Sequence, residues 1–111
     1  MKPNIREFQA AVLSALAHPM RLKILEKLRA GTCCVCKIVP YVKSEQSNVS
    51  HHLQILRRAN IVRSEKRGQE VWYEVVDPVI FELLDKARLC VIHNLARRYR
   101  LSTTLNIKEM E

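Results

Sequence analysis

The spacing of the apolar residues changes twice along this 111-residue chain, and the order of the changes restricts the folds open to it. Up to about residue 59 the spacing is that of helices. Residues 71–75 then alternate between apolar and polar, which predicts a strand, and Arg67-Gly68-Gln69 before them predicts the turn of a hairpin. At Asp77-Pro78 an N-cap residue and a first-turn proline begin another helix. The predicted order is therefore four helices, a hairpin and a long last helix.

Local signals set the helix boundaries before the hairpin. The third helix is predicted over Cys33–Val42, with Thr32 as its N-cap, and the fourth from Ser44 or Ser47 to about residue 59. Two short helices followed by a two-stranded wing are typical of a winged helix-turn-helix, in which a helix fits the major groove of DNA. The predicted fold class is mainly α with a small antiparallel β-hairpin: five helices and a two-stranded wing. The residues expected on the buried face of the first helix are Ile5, Phe8, Val12 and Leu16.

The length fits one domain, and apolar residues make up 48% of the chain, which is enough for a core. We expect a DNA-binding and dimerisation domain over residues 1–101 and a C-terminal tail over residues 102–111. The last helix carries an apolar stripe over roughly five turns, too long for a lone monomer, which favours dimerisation.

The net charge of +8, from 19 Lys and Arg against 11 Asp and Glu, favours a polyanionic partner. No apolar run approaches the roughly 18 residues that a membrane span needs, and the N-terminus lacks the apolar core of a signal peptide. We therefore expect a cytoplasmic protein. An enzyme is not expected, because the sequence has no glycine-rich phosphate loop, nucleophile elbow or cluster of paired carboxylates.

The fourth predicted helix presents short hydrogen-bonding side chains on its outer face. Asn and Gln can pair with adenine through two hydrogen bonds, and Ser can serve several base edges, whereas Arg and Lys contact phosphates. The adjacent His51 and His52 point to different faces, so one is expected at the DNA and the other in packing or a cap. The predicted DNA-binding residues are Gln46, Ser47, Asn48, Ser50, His51, Arg57, Arg58, Arg63, Lys66 and Arg67.

Four stretches together resemble the ArsR/SmtB family of metal-responsive repressors: Ala17–Leu25, Cys34-Val35-Cys36, Ser47–Leu53 and the Arg67-Gly68 turn. The resemblance covers about residues 8 to 95. It implies a homodimer held by the first and last helices. It also implies that the protein binds double-stranded operator DNA without an inducer and leaves it when the inducer binds.

Cys33, Cys34 and Cys36 are predicted at the first turn of the third helix, where the positive end of the helix dipole stabilises thiolates. Thiolates suit soft, thiophilic ions, and a three-sulfur site is predicted. On a regular helix Cys34 and Cys36 point about 200° apart and could share an ion only if the first turn unwound. Cys33 and Cys36, at i and i+3, could share one without distortion. Which pair dominates is left open by the spacing.

In the family that the chain resembles, the Cys-Val-Cys pair is a sensor for arsenite, antimonite or soft divalent ions. The resemblance thus implies As(III) or Sb(III) as the inducer, with Cd(II), Pb(II) or Zn(II) as alternatives. The sequence departs from the family at Cys33 and Lys37, which replace the usual acidic residues around the pair.

A possible second site lies at the last helix. Cys90 and His93 share one face, and together with Asp77 they fall where the zinc-sensing branch of the family carries three of its ligands. The fourth position is Val79, which cannot coordinate, whereas tetrahedral zinc takes four groups. Packing on a dimerising helix is the alternative role of this pair.

Two other functions compete with the metal-responsive repressor. The first is a redox or persulfide sensor of the same fold, whose cysteines pair by oxidation and therefore need Cα atoms within about 7 Å. The second is a winged-helix module that binds protein or RNA and has inert cysteines. A steep loss of DNA affinity with salt and a two-fold operator would exclude this last reading.

Overall fold

The computed structural model describes the backbone of residues 4–110 and the side chains of residues 4–100. The chain divides into two compact units, the first ending at Pro78 and the second beginning at Val79. Within the described residues, the elements are α1 (Ile5–Leu16), α2 (Pro19–Leu28), β1 (Cys33–Cys34), α3 (Val35–Val42), α4 (Gln46–Arg58), β2 (Val62–Arg67), β3 (Glu70–Val75) and α5 (Val79–Met110). The predicted fold class, five helices with an antiparallel hairpin wing, is confirmed.

The core of the first unit is built from α2, α3 and α4. Ile24 and Leu25 of α2, Ile38 of α3 and Leu53 and Leu56 of α4 have no exposed surface. Burying a side chain of this size contributes about 1.5–3 kcal/mol. The buried face of α4 fixes the orientation of that helix, and its polar face is left outward.

Two left-handed residues delimit α4. Lys43, with φ 55°, ends α3 and begins the short turn of the helix-turn-helix. At the other end Asn60 has φ 58°; its N–H donates to the carbonyl of Arg57, and the N–H of Ile61 donates to that of Leu56, both at 3.0 Å. These two bonds form a Schellman motif, which ends the helix and turns the chain into β2.

The sheet has three antiparallel strands in the order β1-β3-β2. Strands β2 and β3 form the predicted wing, and Gly68, with φ 63°, takes the left-handed conformation in its turn. Strand β1 was not predicted; it pairs Cys33 with Tyr73 and Cys34 with Trp72. Two residues are too few for an alternating pattern, so the sequence carried no signal for it.

The predicted starts of α3 and α4 need correction. Helix α3 begins at Val35, not Cys33, because the two preceding residues pair with β3. Thr32 is not its cap and instead donates a hydrogen bond to Glu74 at 3.1 Å. Neither Ser44 nor Ser47 caps α4, whose N-cap is Glu45 without a side-chain bond.

The terminal helices expose apolar side chains. On α1, Leu16 is buried as predicted, but Ile5 and Phe8 were also expected to be buried and are 79% and 58% exposed. Helix α5 starts two residues after Asp77 and has a helical backbone to Met110. The predicted boundary between residues 1–101 and 102–111 stays a prediction. In the part of the chain that the structure describes, no helix is long and apolar enough to cross a membrane.

Candidate ion site and DNA-reading surface

The junction between β1 and α3 brings two cysteine sulfurs together. Cys34 is the N-cap of α3; its backbone is extended, and its Sγ accepts a hydrogen bond from the N–H of Cys36 at 3.1 Å. The two sulfurs are bonded as a disulfide, with Cα atoms 5.1 Å apart. The prediction that this pair converges only after the first turn unwinds is wrong, because Cys34 lies outside the helix and is free of the helical spacing.

The cysteine pair lines a cleft of about 600 Å³ within the first unit. The cleft is also lined by Gln46, Ser50, Gln54 and Arg57 of α4 and by residues of the wing. An occupant of this cleft therefore contacts the β1–α3 junction, the wing and α4, which is the predicted DNA-reading helix.

Glu70, the first residue of β3, lies beside the cysteine pair. One of its carboxylate oxygens and the sulfurs of Cys34 and Cys36 all lie within 4.8 Å of one another. Sequence reasoning missed Glu70. No sequence signal pointed to it, because the pairing of β1 with β3, which sets Cys34 opposite Trp72, joins residues far apart in the sequence.

Cys33 is in a different position from the other two. It is buried, and its Sγ donates to the carbonyl of Cys34 at 3.5 Å. Its sulfur is not among the three ligand atoms grouped at Cys34, Cys36 and Glu70. The predicted three-sulfur site that includes Cys33 stays a prediction.

The predicted reading face of α4 is accessible. Gln46, Ser47, Asn48 and His51 are exposed, and Ser50 is half-buried at the cleft. The Asn48 amide donates to the Ser44 hydroxyl at 2.9 Å, which fixes its orientation. The face thus presents several short hydrogen-bonding groups of the types that read base edges.

The basic side chains of α4 lie at its C-terminal end. Arg57 donates two hydrogen bonds to the Gln54 side-chain oxygen, at 3.1 and 2.9 Å, and both residues line the cleft. Arg58 is exposed. A displacement of the Gln54 side chain in the cleft would therefore disturb the two hydrogen bonds that hold Arg57.

The wing holds its cations against neighbouring side chains. Arg63 is ion-paired with Glu74, and this guanidinium, with the Thr32 hydroxyl, lowers the pKa of that carboxyl. Arg67 lies 4.6 Å above the Trp72 ring and 3.4 Å from Glu65. These contacts hold the wing cations at the surface, and a phosphate would compete with the carboxylates for them. Lys66 is exposed beside them.

The two adjacent histidines of α4 lie on different faces. His51 is exposed, whereas His52 is buried, with its ring 4.3 Å from that of His18. Burial lowers the pKa of His52, and the charges of His18, Arg21 and His51 lower it further. His18 also caps α2, as its ring Nδ1 accepts from the N–H of Met20 at 3.0 Å.

The second predicted ligand group consists of exposed residues. Cys90 and His93 are exposed on α5, and Cys90 is a free thiol. Asp77 is exposed before the helix begins. Among the side chains that the structure describes, the grouping of three ligand-type residues is Cys34, Cys36 and Glu70. The site at Asp77, Cys90 and His93 stays a prediction.

A helix-turn-helix with an exposed polar reading helix, followed by a basic two-stranded wing, defines the winged-helix class of DNA-binding regulators. The family described as "Bacterial regulatory protein, arsR family" matches residues 18–64 of this chain. The chain belongs to that family, as the resemblance predicted. It is therefore a regulatory protein and not an enzyme.

Known relatives agree with this assignment. The chain is 40% identical over 79 residues to an uncharacterized HTH-type transcriptional regulator, MJ1325, of Methanocaldococcus jannaschii, covering 70% of this chain and 89% of that protein. It is 35% identical over 78 residues to the arsenical resistance operon repressor of Bacillus subtilis, covering 69% and 74%. The crystal structure of Rv0081 from M. tuberculosis superposes with a TM-score of 0.76 at 34% identity, covering 87% of this chain and 98% of that one.

Proposed function

We propose that the chain is a cytoplasmic, homodimeric transcriptional repressor that leaves its operator when a thiophilic metal or metalloid ion binds Cys34 and Cys36 as thiolates. The observation that carries this proposal is the shared cleft, since the two sulfurs and the reading helix α4 line the same space. The similarity to an arsenical resistance repressor supports As(III) or Sb(III) as the inducer. Cd(II), Pb(II) and Zn(II) are the alternatives, because they also bind thiolates.

DNA binding is assigned to α4 and the wing. The exposed Gln46, Ser47, Asn48 and His51, with Ser50, read bases in the major groove. The basic residues Arg57, Arg58, Arg63, Lys66 and Arg67 contact phosphates, which give affinity without sequence information. Two such helices in a two-fold dimer lie about 34 Å apart, one turn of DNA.

The dimer is assigned to α1 and α5. Their exposed apolar side chains include Ile5, Phe8, Val91 and Leu95, each more than half exposed. A second copy of the chain would remove this apolar surface from water, as the resemblance to the family also implies.

Release follows from the position of the cleft. Binding of an ion to the reduced pair replaces two thiols with two ligated thiolates, and the two thiol protons are released to solvent. The ligated ion sits where Ser50, Gln54 and Arg57 line the wall. A shift of these side chains changes base and phosphate contacts together. Binding of the ion therefore lowers the affinity for DNA, and binding of DNA lowers the affinity for the ion.

The test is release of operator DNA from the reduced protein as arsenite, antimonite, Cd(II), Pb(II) or Zn(II) is added. We expect the inducer to lower DNA affinity by about 1–3 kcal/mol, roughly 5- to 150-fold. The double variant Cys34→Ser/Cys36→Ser should bind DNA as the parent does and show no release. The matched control Cys90→Ser should be released normally. Normal release of the double variant would refute the proposal.

A redox sensor is the second candidate, and the disulfide between Cys34 and Cys36 favours it. In this hypothesis two thiols and one hydroperoxide give the disulfide. The O–O bond breaks, and the oxygens leave as two waters from hydrogen peroxide or as one alcohol and one water from an organic hydroperoxide. Adding peroxide without metal would then release DNA, whereas metal under strict reduction would not. The opposite pattern supports the ion sensor.

A further inference from the structure

We propose that Glu70 is a third ligand of the ion bound by Cys34 and Cys36, so that the site has two sulfurs and one carboxylate oxygen. The proposal rests on the proposed function and specifies which ions that site prefers. It makes the wing, which carries Glu70, a direct part of the ion site.

The first argument is convergence. The three ligand atoms come from a strand–helix junction and from a strand far away in sequence, yet they lie within 4.8 Å of one another. Metal–sulfur bonds of about 2.3 Å and metal–oxygen bonds of about 2.0–2.2 Å let one ion reach atoms at such mutual distances. Once the disulfide is reduced to two thiols, the site therefore needs only side-chain movements that separate the two sulfurs around the ion.

The second argument is orientation. The Trp72 indole N–H donates to one Glu70 oxygen, Oε2, at 3.1 Å. A hydrogen bond of this kind orients a ligating carboxylate. Arg67 stacks on the same indole ring, 4.6 Å from its centre, and helps to hold the indole that donates to the carboxylate.

The third argument is the accessible space and charge. Cys36 and Glu70 are exposed, and both line the 600 Å³ cleft with Cys34, so an ion can enter from solvent. In the reduced chain two thiolates and a carboxylate offer three negative charges, which a divalent ion largely neutralises. Arg57 lines the same cleft and can offset the remaining charge.

This donor set distinguishes among the candidate ions. Very soft ions select sulfur, whereas borderline Zn(II) accepts Cys sulfur together with carboxylate oxygen. A site with one oxygen in three therefore moves the preference from As(III), which the similarity to the arsenical resistance repressor supports, toward a borderline divalent ion, which the proposed function gave as the alternative. It also links the ion to β3, so that ion binding pulls on the wing as well as on α3.

The experiment is a titration of the full reduced chain with Co(II), a spectroscopic stand-in for Zn(II), followed by displacement with Zn(II). Glu70→Gln is the test variant, because glutamine keeps an acceptor for the Trp72 indole but loses the anionic ligand. Glu65→Gln is the matched control, since it removes the same charge from the same hairpin. We expect Glu70→Gln to weaken Co(II) binding by about 10- to 100-fold or more, with Glu65→Gln within about 2-fold of the parent.

The absorption bands identify the cause. The thiolate-to-cobalt band should be unchanged in Glu70→Gln, while the ligand-field bands shift as the oxygen ligand is replaced. A second variant, Glu70→Cys, should raise the thiolate-to-cobalt band by about half, as two sulfurs become three, and should raise arsenite affinity. Equal affinities and spectra for Glu70→Gln and Glu65→Gln, or an unchanged band in Glu70→Cys, would overturn the proposal.

The result also separates this proposal from the one on which it rests. Ion binding that depends on Cys34 and Cys36 but not on Glu70 leaves the repressor proposal standing and removes Glu70 from the site. A parent chain that binds no Co(II), Zn(II) or arsenite in the reduced state overturns both.

Discussion

Helix α4 and helix α5 both carry residues with a proposed function, but their apolar side chains are covered very differently. On α4 Val49, Leu53 and Leu56 have no exposed surface. On α5 Val91 and Leu95 are more than half exposed. The contrast indicates that one chain fixes the reading helix by itself, whereas the proposed roles of α5 depend on a second molecule.

The largest expected effect tests the α5 side of this contrast. Replacing Leu95 by Glu should remove an apolar contact from the proposed two-fold interface, and the loss would count twice. At about 1.5–3 kcal/mol for each leucine, the dimer should lose about 3–6 kcal/mol, which raises its dissociation constant by about 100-fold or more. Sedimentation equilibrium over a range of protein concentrations measures this constant.

Asn94→Glu is the matched control, because it places the same charged side chain at the neighbouring exposed position of α5. It should leave the dimer largely intact. Equal dissociation constants for the two variants would show that α5 does not hold the dimer through Leu95.

The next effect tests the α4 side. Leu53→Ala deletes a side chain with no exposed surface and should lower the free energy of unfolding by about 2–5 kcal/mol, because a cavity is left in the core. Urea unfolding at one protein concentration provides the measurement. The control is Leu22→Ala on α2, where the leucine is 43% exposed and the same change should cost less than about 1.5 kcal/mol. Similar losses in both variants would contradict the core assignment.

The sequence predicted these two helices unequally well, for physical reasons. The 3.6-residue spacing located α4 because its apolar residues face a core within the same chain. The same spacing located α1 and α5 but predicted burial for Ile5 and Phe8, which are exposed in the single chain. Periodicity reports that a face avoids water; it does not report which molecule covers the face.

The ion site shows a second limit. The resemblance to the family singled out Cys34 and Cys36, whereas helical spacing favoured Cys33 and Cys36. The spacing argument failed because the predicted helix start at Cys33 was wrong, since pairing with β3 overrides local helix signals. That pairing joins residues far apart in the sequence, and a strand of two residues is too short to show an alternating apolar pattern. Glu70 could not be associated with the cysteines for the same reason, since only the strand register brings it beside them.

The smallest expected effect is a pH dependence that arises on the buried face of α4. The pKa of His52 lies below its ordinary value of 6.5, first because of burial and then because of the charges of His18, Arg21 and His51. As the pH falls below 6.5, the unfolded chain takes up a proton at this ring that the folded chain does not. The stability that the neutral ring contributes is therefore complete above 6.5 and is lost as the pH falls toward the lowered pKa.

Urea unfolding of the parent between about pH 7.5 and 5.5 should thus show a falling free energy, and His52→Phe should flatten that slope, because the titrating group is gone. His93→Gln is the control, because it removes a histidine that does not belong to the buried face of α4, and the slope should stay that of the parent. The low-pKa carboxyl of Glu74 acts below its ordinary value of 4.5 and lies outside this window. A parent-like slope in His52→Phe would mean that the acid sensitivity arises elsewhere and that the buried face of α4 is insensitive to protonation.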